Sequence, residues 1–176
     1  MTKREMLQSE IEETRIRFHR LMDSIPDAAF AKPSGNAAWN IGEVLYHMSL
    51  APRFLVEDVK MISGQRWLYR LIPVLFPKGL FDWLNAKLTR FGARDLTRQF
   101  LLDEYEKAHR KTLVALMKTG EDEFDKSLDY PDWDPLLSGT VTMERLFHYV
   151  KAHFDSHEEE IQRALEAAIF EKIQEV

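Results

Sequence analysis

The chain has six histidines and no cysteine. Without thiols there is no disulfide framework, no thiolate metal site and no cysteine nucleophile, so a transition-metal site has to use histidine and carboxylate. Two histidines, His153 and His157, stand four residues apart. On a helix that spacing rises ~6 Å and turns slightly past one revolution, so both rings leave the same face and can converge on one ion. Their phase matters as much. Leu146, Val150, His153, His157 and Ile161 advance by helical steps, which puts both imidazoles on the core-facing stripe. Buried rings need hydrogen bonds or coordination. From spacing alone two readings stand: satisfied core histidines, or half of a metal site. His47, at the edge of an earlier apolar face, becomes a third ligand if the two helices are neighbours. Three histidines plus a water make an open site of the catalytic type, and imidazole suits zinc, nickel, iron and copper.

The elements that would position these rings are helical. Leu7, Ile11, Phe18, Leu21, Met22 and Ile25 form one stripe, ended by Pro26. After a loop through Lys32–Asn36, Asn40 and Glu43 read as a capping box, and Ile41, Val44, Leu45, Met48 and Leu55 make an inner face that Pro52 should loosen. A third segment, Thr97–Lys118, carries Leu101, Leu102, Tyr105, Leu113, Leu116 and Met117 inward, with Gly120 as its C′ residue. The connection through Tyr130, Pro131, Trp133 and Pro135 reads as a loop. The last helix starts near Thr140 or Thr142 and keeps Leu146, Val150, Ile161, Leu165 and Ile169 in phase. Four amphipathic segments with no alternating strand pattern predict an all-α four-helix bundle, one domain over residues 1–176, with a helical insertion between the second and third helices.

Composition narrows the class. At 176 residues the chain is long enough to bury a core without staples. Its net charge of −5 disfavours nucleic acid as a partner. The charged N-terminus has no apolar signal region, and the most apolar run, Trp67–Phe76, is broken by Arg70 and Pro73, so a cytoplasmic protein is expected and a membrane partner is not. The insertion, Ser63–Arg94, carries six basic residues against the single acid Asp82, together with Trp67, Tyr69, Phe76, Phe81, Trp83 and Phe91. Extra buried core is the leading expectation for it. A lid over an apolar pocket and a basic amphipathic surface are the rivals, the latter weakened by Pro73 and Pro77.

Two stretches carry a family resemblance. Trp39-Asn40-Ile41-Gly42-Glu43-Val44-Leu45-Tyr46-His47-Met48 is similar to the first histidine motif of the DinB/YfiT-like family. Val150 to Ile161 resembles that family's final helix, with histidines four apart and an isoleucine four further on. The chain departs from the family pattern in the three glutamates, Glu158 to Glu160, that follow the last histidine. The resemblance implies a four-helix bundle, often dimeric, that holds a divalent metal through His47, His153 and His157. It also implies thiol-dependent transfer or hydrolysis on a small-molecule substrate, with zinc or nickel as the metal and a low-molecular-weight thiol as a co-substrate. A non-catalytic bundle that binds a small ligand or a metal is the alternative. No catalytic residue beyond the ligands follows from the motifs. Glu160, three after His157, is a candidate to orient it or act as a base, whereas Asp155 and Glu158 are expected to face solvent. His148 and His19 read as surface or boundary residues, and His109 as a hydrogen-bonded core or rim residue.

Overall fold

Thr2 begins the first helix as a capping box: its hydroxyl accepts from the Glu5 amide and its amide donates to the Glu5 carboxylate at 2.8 Å. A computed structural model describes residues 1–64, 77–94 and 96–174, with side chains to 167 and at 170. Helix α1 (Lys3–Ser24) stops at Ile25, which is extended ahead of Pro26. Helix α2 (Ile41–Gly64) starts as its sequence directs. The Asn40 side chain accepts from the Glu43 amide at 2.8 Å, and the Asn40 amide donates to Glu43 at 2.9 Å. It runs on through Pro52, whose carbonyl accepts a hydrogen bond from the buried Thr112 hydroxyl at 3.0 Å. Then come α3 (Lys78–Gly92), α4 (Arg98–Lys118), strands β1 (Ser127–Asp134) and β2 (Leu137–Thr142), and α5 (Met143–Gln174).

Helices α1, α2, α4 and α5 form the bundle. α2 packs against α4 and α5, and α1 packs against the same two. The four are thus arranged as a ring in which α2 and α5, the carriers of the three predicted ligands, are neighbours. The apolar stripes read from the sequence fill its interior. Phe18 stacks on Tyr105 with ring centroids 3.8 Å apart, and Leu45, Met48, Leu101 and Ile161 close around them. A second cluster at the other end of the bundle gathers Leu7, Ile11, Leu55, Leu116, Phe124, Phe147 and Val150. Arg17 ties α1 to α5 by pairing with both Asp155 and Glu158 while its guanidinium lies 4.8 Å from the Phe154 ring centroid. The expectation that Asp155 and Glu158 face solvent is therefore corrected: both are partly buried and bonded across the bundle.

Three local expectations give way to geometry. The connection after α4 contains a β-hairpin rather than a loop. Ser127 to Tyr130 pair antiparallel with Thr142 to Gly139, and the register breaks between Tyr130 and Asp134. Pro131 sits in that break, since a residue without N–H cannot continue the ladder. Gly139, the partner of Tyr130, takes a positive φ of 69°. Gly120 is not a left-handed cap. Thr119 leaves α4 extended, and Gly120 opens a short 3-10 turn, its amide donating to Glu123 at 3.1 Å. Met117 lies outside the stripe at 57% exposure. Thr142, rather than Thr140, caps α5, its hydroxyl accepting from the Arg145 amide at 3.1 Å.

The described part of the insertion is one helix, α3. It buries a single side chain, Thr89, and leaves Trp83 at 56% and Phe91 at 66% exposure, so it is not extra core. Its inner side is close-fitting. A Cβ at Gly92 would meet the Tyr46 ring at 2.2–2.4 Å, so only glycine lets α3 approach α2 this closely. Phe81 stacks on Trp133 of β1 with centroids 4.8 Å apart, and Lys78 donates to the Trp133 carbonyl at 2.7 Å. Arg66, Trp67, Tyr69, Arg70 and Phe76 lie outside the described residues, as does the side chain of Ile169. Among the described residues no helix is long and apolar enough to cross a membrane.

Candidate metal centre

The three histidines singled out by spacing converge. His47 comes from the second turn of α2, and His153 and His157 from the middle of α5. The facing nitrogens of His47 and His153, both Nε2, are 3.2 Å apart. Ring centroids are 5.0 Å apart for His47–His153 and His47–His157, and 4.6 Å for His153–His157. One ring nitrogen from each lies within 4.8 Å of the other two. Two nitrogens bound tetrahedrally at ~2.0–2.1 Å to one ion would stand about 3.3 Å apart, so the His47–His153 spacing matches coordination.

Outward partners set the rings. His157 Nδ1 pairs with Glu160 Oε2 at 2.9 Å, and Ser34 donates to the other Glu160 oxygen at 2.9 Å. Burial pushes the Glu160 carboxyl up, but the hydrogen bonds from His157 and Ser34 outweigh it and hold the group below its usual range. An ionised Glu160 keeps the proton on Nδ1 and presents Nε2 of His157 inward. His47 Nδ1 faces the buried Thr89 hydroxyl of α3 at 3.4 Å, and the Trp39 ring lies against the His47 ring at a tilt of 32°, with centroids 4.4 Å apart. The Trp39 indole nitrogen is buried and has no hydrogen-bond partner among the described residues. Burial, reinforced by the charge of His157, depresses His47 to about 3. Burial lowers His153 as well. Both rings are thus neutral at physiological pH, as metal ligands must be.

Glu160 tests this arrangement. Replacing it with glutamine removes the charge that fixes the His157 tautomer, and metal affinity should fall about 10–100-fold with the fold unchanged. Competition against a chromogenic chelator measures it, and equal affinities would make Glu160 merely structural.

The histidines open on a cavity of about 260 Å³ to which His47 and His153 contribute wall. Its other side is built by α3 and the hairpin, through Phe81, Asn85, Tyr130 and Trp133. A larger groove of about 610 Å³, lined by α2, α4 and the residues after α4, contains none of the three histidines and no comparable chemistry.

Sequence reasoning missed the polar groups of this cavity. Asp58 lies eleven residues after His47, about three turns on, hence on the same face of α2. Tyr149 lies four before His153 and donates to Asp134 of the hairpin at 2.5 Å. Both spacings were visible, but the hairpin that completes the wall was not. Burial drives the Asp58 carboxyl up to about 7, a hydrogen bond from Tyr130 opposes this, and the Glu57 charge adds to it. The sign follows from proton binding. Between pH ~4 and 7 the unfolded chain has released this proton while the folded chain keeps it, so this group's contribution to stability falls as pH rises. Asp58→Asn should therefore raise the melting temperature at neutral pH, by at most about 4 kcal/mol in stability, and flatten the fall between pH ~4 and 7. Thermal melts across that range check it, and an unchanged slope would show that the carboxyl ionises freely.

The other histidines are paired elsewhere. His19 bonds Glu106 at 2.6 Å, His148 bonds Glu10 at 2.9 Å, and the buried His109 faces Glu12 at 3.3 Å. His148 is thus a partly buried link between α5 and α1 rather than a free surface residue.

No curated protein matches the chain significantly. The family model of the DinB superfamily matches residues 10–161, a span running from α1 through all three histidines. With most of its length inside that match, the chain belongs to the DinB superfamily.

Proposed function

We propose that this protein is a metal-dependent enzyme acting on a small molecule, with His47, His153 and His157 as ligands of a divalent ion, zinc or nickel. One observation carries the reading: three imidazoles converge, and two of them, His47 and His153, neutral by burial, border a mostly apolar cavity of about 260 Å³. A structural site would be sealed by a fourth protein ligand, and none joins this cluster among the described residues. A divalent ion held there supplies Lewis acidity that makes a water or a thiol nucleophilic near neutral pH.

The chain's own residues do the rest. Glu160 holds the proton on His157 Nδ1, and the Thr89 hydroxyl oxygen is placed to accept from His47 Nδ1–H, leaving Nε2 for the metal. Phe81 and Trp133 join α3 to the hairpin along one wall of the cavity by stacking. The described insertion therefore acts as a lid. Because the chain has no cysteine, a transferred thiol would have to arrive with the substrate or as a co-substrate.

The test is turnover by zinc- and nickel-loaded protein on activated esters, amides and alkylating electrophiles, each with and without a low-molecular-weight thiol. The proposal expects turnover that is lost in His47→Ala. A thiol requirement would identify S-transfer, and its absence hydrolysis. Full turnover in His47→Ala would show that catalysis does not run through this metal site, and no turnover with any class would favour a non-catalytic binding protein.

A further inference from the structure

The cavity beside the histidines has a one-sided charge. Its body is apolar, with Leu50, Phe54, Met61 and Leu137 against the Phe81–Trp133 stack. Among the described residues, no lysine or arginine lines it, and its charged side chains are Asp58 and Asp134. Asp134 is already engaged. One oxygen accepts from Tyr149 at 2.5 Å and the other from the Leu136 amide at 2.8 Å. Asp58 is different. It forms no ion pair with any described residue, and the Tyr130 hydroxyl lies near it in the same cavity wall.

A half-buried carboxylate without a cation is unfavourable, so Asp58 keeps its proton until something supplies the missing positive charge. A ligand ammonium does so through a charge-assisted hydrogen bond, and the neighbouring aromatic rings favour a cation as well. An anionic ligand would meet two carboxyl groups and, among the described residues, no compensating base. We propose that this cavity binds a small molecule made of an apolar, ring-sized body and a protonated amine, with the amine on Asp58 and the body reaching toward His47 and His153. The assignment rests on the reading of this cavity as the substrate site and names the substrate class. It also means that a thiol bearing carboxylates would have to approach the histidines by another route.

The experiment is calorimetric titration of the full chain, metal-free and zinc-loaded, with phenethylamine, 2-phenylethanol and phenylacetate at neutral pH. These probes share one body and differ in head-group charge. The amine should bind about tenfold tighter than the alcohol, and the acid weakest. Asp58→Asn should erase the amine's advantage while leaving alcohol binding in place, which also reports that the variant is folded. Acid binding as tight as the amine's, an amine preference that survives in Asp58→Asn, or no binding of any probe would overturn the proposal. Failure of the metal reading has a separate signature: no zinc uptake, with the amine preference intact in metal-free protein.

Discussion

His153→Ala should lower zinc affinity by roughly 10²–10³-fold. Folding-coupled zinc sites are worth ~10–16 kcal/mol over four ligands, hence about 3–4 kcal/mol per ligand, and each ~1.4 kcal/mol is a factor of ten. His153 is the most telling of the three because it is buried and its Nε2 lies 3.2 Å from that of His47. Without it, two nitrogens on separate helices remain, and one of those helices is also the lid's support. Excess zinc should raise the melting temperature of the parent chain, since a ligand that binds only the folded state stabilises it, and should raise that of His153→Ala much less. Chelator competition reads the affinity and thermal melts read the linkage. Equal zinc stabilisation of both chains would remove His153 from the ligand set.

The second large effect is on the fold. Phe18→Ala should cost about 3–5 kcal/mol, the range for emptying a fully buried aromatic site. Phe18 is wholly inaccessible and stacks on Tyr105, which is also buried, so the ring cannot be replaced by water or by a small shift of a surface chain. It joins α1 to α4, and Arg17 beside it joins α1 to α5. Denaturant unfolding should show a lower midpoint at unchanged slope. A loss below about 1 kcal/mol would mean that the bundle refills the space.

The bundle and the three histidines were legible because both obey one period. Inward residues recur every three or four positions, and the same count carries His153 and His157 inward and keeps Glu160 within a turn of His157. The Asn40–Glu43 box was legible because capping is local. What failed was non-local or carried by residues that obscure their own pattern. The hairpin's first strand holds Pro131 and three aspartates, Asp129, Asp132 and Asp134, so no apolar alternation announces it. Gly120 sat where a left-handed cap commonly falls, but Thr119 ended α4 by turning extended. The aromatic insertion looked like buried core by composition, yet α3 keeps Trp83 and Phe91 outside and spends its inner face on Thr89 and on contact with Tyr46. Asp58 read as an ordinary charge on an amphipathic helix. Only the hairpin, some seventy residues on in the chain and folded over it, turns it into a cavity wall.

The central claim is a nitrogen-ligated ion at the three histidines. Elemental analysis with X-ray absorption on the full chain, reconstituted with zinc and dialysed, tests it most directly. The account predicts about one ion per chain, with nitrogen neighbours at ~2.0–2.1 Å and a fourth light-atom ligand. Less than about a tenth of an equivalent, or the same ion content and spectrum in His47→Ala, would contradict it.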